Sequence, residues 1–217
     1  EDIVSRGKTP IVAGGTGMYA KALLNGLFPS PKKDEDLRKK LEAEEKERGE
    51  GSLYEKLEKI DSESARTIHR NDTKRIIRAL EIFYLTGKAM TAHKKNTSGI
   101  RDRYKVYTFG INPGRDVLYG RINTRVEKMF ADGIVEEVKG IIKRRLSITA
   151  QFALGIREIS GYLNGQYGIE EAKEMLKKNT RNYAKRQMTW FRADKEIRWF
   201  DEGKGIIDHC VPLFKKG

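Results

Sequence analysis

Two kinds of residue in this chain are placed to handle an anion. The first is Thr16, set in Gly14-Gly15-Thr16-Gly17 between a short apolar stretch, residues 11–14, and the helix-forming run that begins at Met18. A strand turned straight into a helix presents backbone N–H groups and a small hydroxyl at the helix N-terminus, where the dipole favours negative charge. Glycine serves such turns for steric reasons too, so the spacing leaves both uses open. The nearby Gly7-Lys8-Thr9 is not the end of a GxxxxGK[ST] phosphate loop, because Asp2 stands where the first glycine is needed and Pro10 forbids a clean helix start. The second kind is an arginine pair, Arg121 and Arg125, one helical turn apart and therefore on one face. Two such guanidiniums can grip a phosphate in bidentate fashion, or either can pair with Asp116 or Glu127.

Basic residues recur on helical faces elsewhere. Lys74, Arg75 and Arg78 lie within about one turn of each other, while Ile76, Ile77, Leu80 and Phe83 share the apolar side of the same helix. Cations at a helix N-terminus oppose the macrodipole at roughly 0.3 to 1 kcal/mol each, which an anionic partner would offset. Asp72 and Glu81 could balance them instead, leaving a solvated face. Further on, Ala172, Leu176, Tyr183 and Trp190 mark an apolar stripe on one long helix and Lys178, Arg181, Lys185 and Arg192 a basic one. Aromatic and basic stripes on one element suit nucleic acid, although core plus solvent also produces them.

The whole-chain charge points the same way. Over 217 residues, 44 Lys and Arg against 31 Asp and Glu leave a formal charge of +13. That favours a polyanionic partner over a membrane surface or mere solubility. The single cysteine, Cys210, allows no internal disulfide, and His69, His93 and His209 show no metal-ligand spacing. No apolar run approaches the ~20 residues that span a bilayer, and no leader is evident. A cytoplasmic protein with no membrane partner is expected.

These groups need positioning elements, and the pattern supplies them. Residues 1–8 read as a helix tail, followed by the strand over 11–14 and a helix ending near Gly26 before Pro29 and Pro31. From residue 32 to about 92 the composition is charged and helical, with one helix broken by Gly49 and Gly51. A second opens on a Ser52/Glu55 capping box, and a third starts at Asn71 or Asp72 and stops at Gly87. Residues 104–111 alternate as a strand returning to the first sheet, and a helix starts at about Arg115 or Asp116. Helices then follow over 134–146, 156–163 and 169–192, with an abrupt connector at 147–151 and a last strand over 197–201.

The segments GGTGMYAKALLNGL, NDTKRIIRALEIFYLTGK, GRINTRVEKMFADGIVEEV and NTRNYAKRQMTWFR, in this order over nearly the whole chain, resemble the tRNA dimethylallyltransferase (isopentenyltransferase) family. The resemblance implies an α/β fold: a P-loop NTPase-like parallel-sheet core over 1–31 and 101–217, incomplete in this sequence, with an all-helical tRNA-binding insertion over 32–100. It implies transfer of a dimethylallyl group from dimethylallyl diphosphate to N6 of the adenosine just 3′ of the anticodon, with Mg2+ accompanying the diphosphate. The partners implied are the tRNA anticodon stem-loop and dimethylallyl diphosphate, and a monomer is expected. By motif, Thr16 would act at the reacting centre and touch the target nucleotide. Arg38 and the segment Lys74, Arg75, Ile76, Ile77 and Arg78 would contact tRNA. Arg121, with Arg125 as the weaker candidate, would hold the diphosphate. Lys185, Arg186 and Gln187 would make backbone or substrate contacts. The family's glycine loop and the aspartate that deprotonates the amino group do not precede Glu1, and the connector near Ser147 is shorter than the family pattern, so an incomplete chain, inactive alone, is expected. An enzyme prenylating free adenine nucleotides and a non-catalytic RNA-binding module are the alternatives.

Overall fold

The structure, a computed structural model, describes residues 1–95 and 97–214. The chain divides into two compact units, Glu1–Val106 and Tyr107–Gly217. In the first unit a short helix α1 (Asp2–Ser5) precedes an irregular stretch and helix α2 (Gly17–Asn25). Then come α3 (Glu35–Arg48), α4 (Ser52–Ile60), α5 (Ser62–Thr67), α6 (Thr73–Thr86) and α7 (Met90–Lys94), and a 3-10 turn at Ile100–Asp102.

The core of this unit belongs to α3 through α6. Leu41, Leu53, Leu57, Ala65, Ile68, Ile76, Ile77, Ala79 and Leu80 form one buried cluster, with Leu37, Tyr54, Ile60 and Met90 against it. The helix boundaries are written locally. Asp34 caps α3 by accepting from the N–H groups of Asp36 and Leu37, and Asp72 caps α6 by accepting from Arg75. At the far end of α6, Gly87 takes the left-handed conformation, φ 70°, that a helix stop requires. Helix α2 packs on the 3-10 turn through two glycines, since a Cβ at Gly99 would stand 2.1 Å from the Leu24 carbonyl and one at Gly26 2.2 Å from that of Ser98.

Two local expectations fail here. The strand over 11–14 is absent: residues 8–16 are irregular, Ile11 and Val12 are 84% and 74% exposed, and none of Gly14, Gly15 and Gly17 has a positive φ. A strand is held by ladder bonds to a neighbour, and among the described residues no strand pairs with this stretch. The Ser52/Glu55 capping box is also replaced. Ser52 is the first helical residue of α4, and Glu45 of α3 reaches over to accept from Gly51 N, Ser52 Oγ and Leu53 N.

In the second unit β1 (Phe109–Ile111) leads to α8 (Arg115–Ala131), α9 (Ile134–Ile141), the single turn α10 (Ile148–Gln151), α11 (Ile156–Leu163), α12 (Ile169–Arg192), β2 (Arg198–Phe200) and α13 (Gly203–Phe214). The bounds of α11 and α12 are those read from periodicity. The strand expected over 104–111 shortens to three residues, and the helix expected over 134–146 stops at Ile141. The connector at 147–151 holds one helical turn capped by Ser147, and α13 lies beyond the last element expected from sequence.

The two strands pair in parallel, Phe109 with Arg198, Gly110 with Trp199 and Ile111 with Phe200. Gly110 is required there, as a Cβ would meet the Trp199 ring at 2.5 Å. Among the described residues of this unit Ile122, Val126, Val138, Ile159, Ala172 and Leu176 are buried and apolar, where α8 and α11 pack on α12 and α9 packs on α8 and α11. Glu158 is buried among them, accepting from Gly155 N at 2.9 Å and from Asn179 Nδ2 at 2.7 Å. Among the described residues no helix is long and apolar enough to cross a membrane.

Candidate functional site

In the first unit Thr16 is the N-cap residue of α2, with φ −91° and ψ 96°, and its side chain makes no capping hydrogen bond. The hydroxyl and the first N–H groups of α2 therefore share one end of the helix. A Cβ added at Gly14 would meet nothing within 4 Å, so the loop before Thr16 is open. Met18 and Tyr19, just after it, are exposed.

The basic helix α6 is organised by a carboxylate. Glu81 has no exposed surface; its Oε1 accepts from Arg38 Nε at 2.8 Å and Asp34 N at 2.8 Å, and its Oε2 from Arg38 Nη2 at 2.9 Å and Arg78 Nη1 at 2.5 Å. Arg78 also donates through Nη2 to Ser30 Oγ and to the Pro31 carbonyl, the latter at 3.0 Å. Hydrogen bonds from Arg38 first, then from Arg78 and the Asp34 N–H, outweigh the cost of burial and hold the Glu81 carboxyl at about 2. Arg75 pairs with Asp72 at 3.1 Å, whereas Lys74 has no ion-pair partner among the described residues and lines a hollow of about 550 Å³ with His69, Asn71, Asp72 and Thr73.

Of the residues expected to meet tRNA here, Arg38 and Arg78 thus keep only part of their surface, 22% and 28% of the side chain. Ile76 and Ile77 turn into the core and offer no side chain to solvent, because they occupy the apolar face of α6. Glu81 balances Arg78 as its spacing allowed, but the bond to Arg38 spans 43 residues and carries no local signal.

In the second unit Arg121 and Arg125 lie exposed on one face of α8, and among the described residues neither forms an ion pair. Glu127, one of their possible partners, is taken by α12: Lys177 Nζ approaches it at 2.5 Å and Lys173 Nζ at 3.3 Å. Hydrogen bonds from Lys177 and Lys173 keep the Glu127 carboxyl below its ordinary value. The opposite side of α8 carries Tyr119, whose ring has the Arg115 guanidinium 5.1 Å and the Arg181 guanidinium 5.9 Å from its centre, and Asn123, which accepts from Arg181 at 2.7 Å.

The apolar stripe of α12 divides. Ala172 and Leu176 are buried, but Tyr183 and Trp190, 39% and 43% exposed, face solvent beside the exposed Lys185 and Arg186. Arg186 sits 5.8 Å from the Tyr183 ring centre, and Asn182, Lys185, Arg186, Thr189 and Trp190 line a hollow of about 500 Å³. Asn182 and Thr189 were not foreseen, since only the basic and aromatic residues beside them marked this surface in the sequence.

The Mg2+ implied by the resemblance would need oxygen ligands, usually one or two carboxylates together with substrate phosphates. Among the described residues no group of three or more His, Cys, Asp or Glu could hold a metal, so these side chains do not build a site by themselves.

The comparisons with known proteins agree with this architecture. The sequence profile described as IPP transferase matches residues 1–194. The chain is 47% identical over 217 residues to the tRNA dimethylallyltransferase of Halothermothrix orenii, covering 99% of this chain and 66% of that protein. It is 44% identical over 202 residues to that of Geobacter sulfurreducens, covering 92% and 65%. The chain therefore spans about two thirds of the length of these curated relatives. Among solved structures, the full-length tRNA isopentenylpyrophosphate transferase of Bacillus halodurans superposes with a TM-score of 0.63 at 37% identity, over 99% of this chain and 68% of that one. A eukaryotic dimethylallyltransferase acting on tRNA superposes with a TM-score of 0.67 at 28% identity, over 87% of this chain and 48% of that one. With a profile matched across both units and relatives aligned along nearly its whole length, this chain belongs to the IPP transferase family.

Proposed function

We propose that this chain works in a tRNA dimethylallyltransferase, supplying residues that hold the anticodon stem-loop and the prenyl diphosphate. The family match across residues 1–194 carries the reading. In the proposed reaction the N6 amine of the adenosine 3′ of the anticodon attacks the allylic carbon, a C–N bond forms, and the C–O bond to diphosphate breaks. Diphosphate leaves with the electron pair, and the proton of the amine passes to the family's aspartate base, which residues 1–217 do not include. The residues 1–31 and 101–217 belong, on this reading, to one P-loop-like core, with 32–100 as its helical insertion. A cytoplasmic monomer is the state proposed for the enzyme, with Mg2+ travelling with the diphosphate.

Thr16, the N-cap residue of α2 whose hydroxyl makes no capping bond, is proposed to contact the target nucleotide and orient the reacting centre. Arg121 and Arg125, exposed without ion-pair partners among the described residues, are proposed to take the diphosphate, where developing negative charge is strongest. Lys74 and Arg75, with the outer edges of Arg38 and Arg78, are proposed to meet RNA phosphates on one unit. Lys185 and Arg186 do so on α12, where Tyr183 and Trp190 add stacking surface.

The test is Arg121→Ala in the complete enzyme, with diphosphate release followed at saturating substrates. The expected loss is about 2 to 4 kcal/mol of transition-state stabilisation, read as a fall in kcat. An unchanged rate removes Arg121 from that role. A competition between AMP and an anticodon stem-loop as acceptor decides the substrate, and preference for AMP overturns the tRNA reading.

A further inference from the structure

We infer that Glu81 is a positioning residue for RNA, clamping the guanidiniums of Arg38 and Arg78 into one rigid, phosphate-facing pair. The inference rests on the reading that this face of the α3/α6 pair meets RNA. One carboxylate lies between two guanidiniums, so a single negative charge serves two positive ones. What the pair still shows to solvent is 22% of the Arg38 side chain and 28% of that of Arg78. A guanidinium is a planar fork, and with Nε and Nη2 of Arg38 bound to Glu81, its Nη1 donors occupy the opposite edge. Arg78 is fixed from three sides, by Glu81, Ser30 and the Pro31 carbonyl. The neighbouring carboxylates Glu35 and Glu42 act on Arg38 only through space and form no ion pair with it.

Fixing the pair matters because a free arginine loses much rotamer freedom when it binds a phosphate, whereas one already held in place loses little. Glu81 ties this preorganisation to the backbone, since the Asp34 N–H at the start of α3 donates to the same oxygen as Arg38 Nε. A purely structural strut would have the same geometry. The sign of the charge separates the two: deleting a carboxylate from an RNA-facing surface should tighten RNA binding on electrostatic grounds, while removing a clamp should weaken it.

The experiment measures binding of a labelled anticodon stem-loop RNA to the complete enzyme across a salt series. Glu81→Gln is expected to raise Kd about tenfold despite removing a negative charge. It should also lower the slope of log Kd against log salt by roughly 0.7 to 0.9 for each phosphate that is no longer neutralised. A Kd that stays level or falls overturns the inference. Ser30→Ala, at an exposed position, releases Arg78 without touching the core and should raise Kd about twofold to threefold. If Glu81→Gln does not fold, Ser30→Ala decides, and an unchanged Kd is then fatal. The double variant Arg38→Ala/Arg78→Ala tests the underlying reading. If it binds as tightly as the unaltered chain, or the unaltered chain binds no RNA, the RNA face itself is wrong. If it weakens while Glu81→Gln does not, only the clamp is wrong.

Discussion

Between α3 and α6, Leu53, Leu57 and Leu80 have no exposed surface and the buried carboxylates Asp61 and Glu81 are fully bonded, whereas before Pro31 the side chains of Ile11, Val12, Met18, Tyr19 and Leu27 stand in solvent. Both regions belong to the same compact unit. The helices bury apolar surface against each other and satisfy their own polar groups: Asp61 accepts from Ser64 and Thr91, joining α5 to α7, and Glu81 joins α3, α6 and the segment at Ser30. Those five large side chains of the first 31 residues are left without burial in this unit. Apolar surface so concentrated marks a place of contact rather than a source of stability. The buried packing is concentrated in the helices and the exposed apolar surface in the first 31 residues, so truncations of the buried side chains should be felt in unfolding and truncations of the exposed ones should not.

The widest separation is expected in the core. Leu80→Ala should cost about 2 to 5 kcal/mol in chemical denaturation, while Val12→Ala should stay within about 0.5 kcal/mol. A comparable loss at both positions would erase the contrast. Acid comes next. The Glu81 carboxyl drops from 4.5 to about 2 on folding, so its contribution, about 3 kcal/mol, is present above pH 4.5 and fades as the pH falls toward 2. Glu81→Gln should remove that part of the acid slope, and denaturation curves recorded from pH 7 down to pH 3 would show it; a slope identical to the unaltered chain denies the pairing its role. The smallest effect concerns two N-caps. Asp72→Ala should destabilise by about 1 kcal/mol because the carboxylate caps α6, whereas Thr16→Ala, at a cap without a side-chain bond, should leave the melting temperature unchanged. A loss at Thr16 equal to that at Asp72 would make the glycine corner a structural cap rather than a contact.

What could be read in advance followed from locality. The bounds of α11 and α12 and the capped ends of α6 were legible because periodicity, the Asp72 cap and the Gly87 stop act within a few residues. The strand at 11–14 failed because alternation and apolarity describe a side chain's preference, not the neighbour whose N–H and C=O groups a ladder needs. The capping box at Ser52 failed for a related reason. A spacing rule found a local partner in Glu55, but packing of α3 on α4 brought Glu45 to the same N–H groups.

The candidate site shows the same division. Clustering of Lys74, Arg75 and Arg78 and the one-face spacing of Arg121 and Arg125 were visible, since residues one turn apart on a helix must be neighbours. That Arg38 and Arg78 share Glu81, that Glu127 goes to Lys173 and Lys177 rather than to an arginine, and that Tyr183 and Trp190 leave the core while Leu176 stays in it were not.

By itself the sequence determined most of the longer helices, the basic faces and, through four ordered segments, the family. Only the tertiary structure decided which of those charges are matched by the protein's own carboxylates and which remain for a partner. The reason is physical: helix formation depends on residues three and four apart, but the neutralisation of a charge depends on whichever group packing brings within about 3 Å, at any distance along the chain.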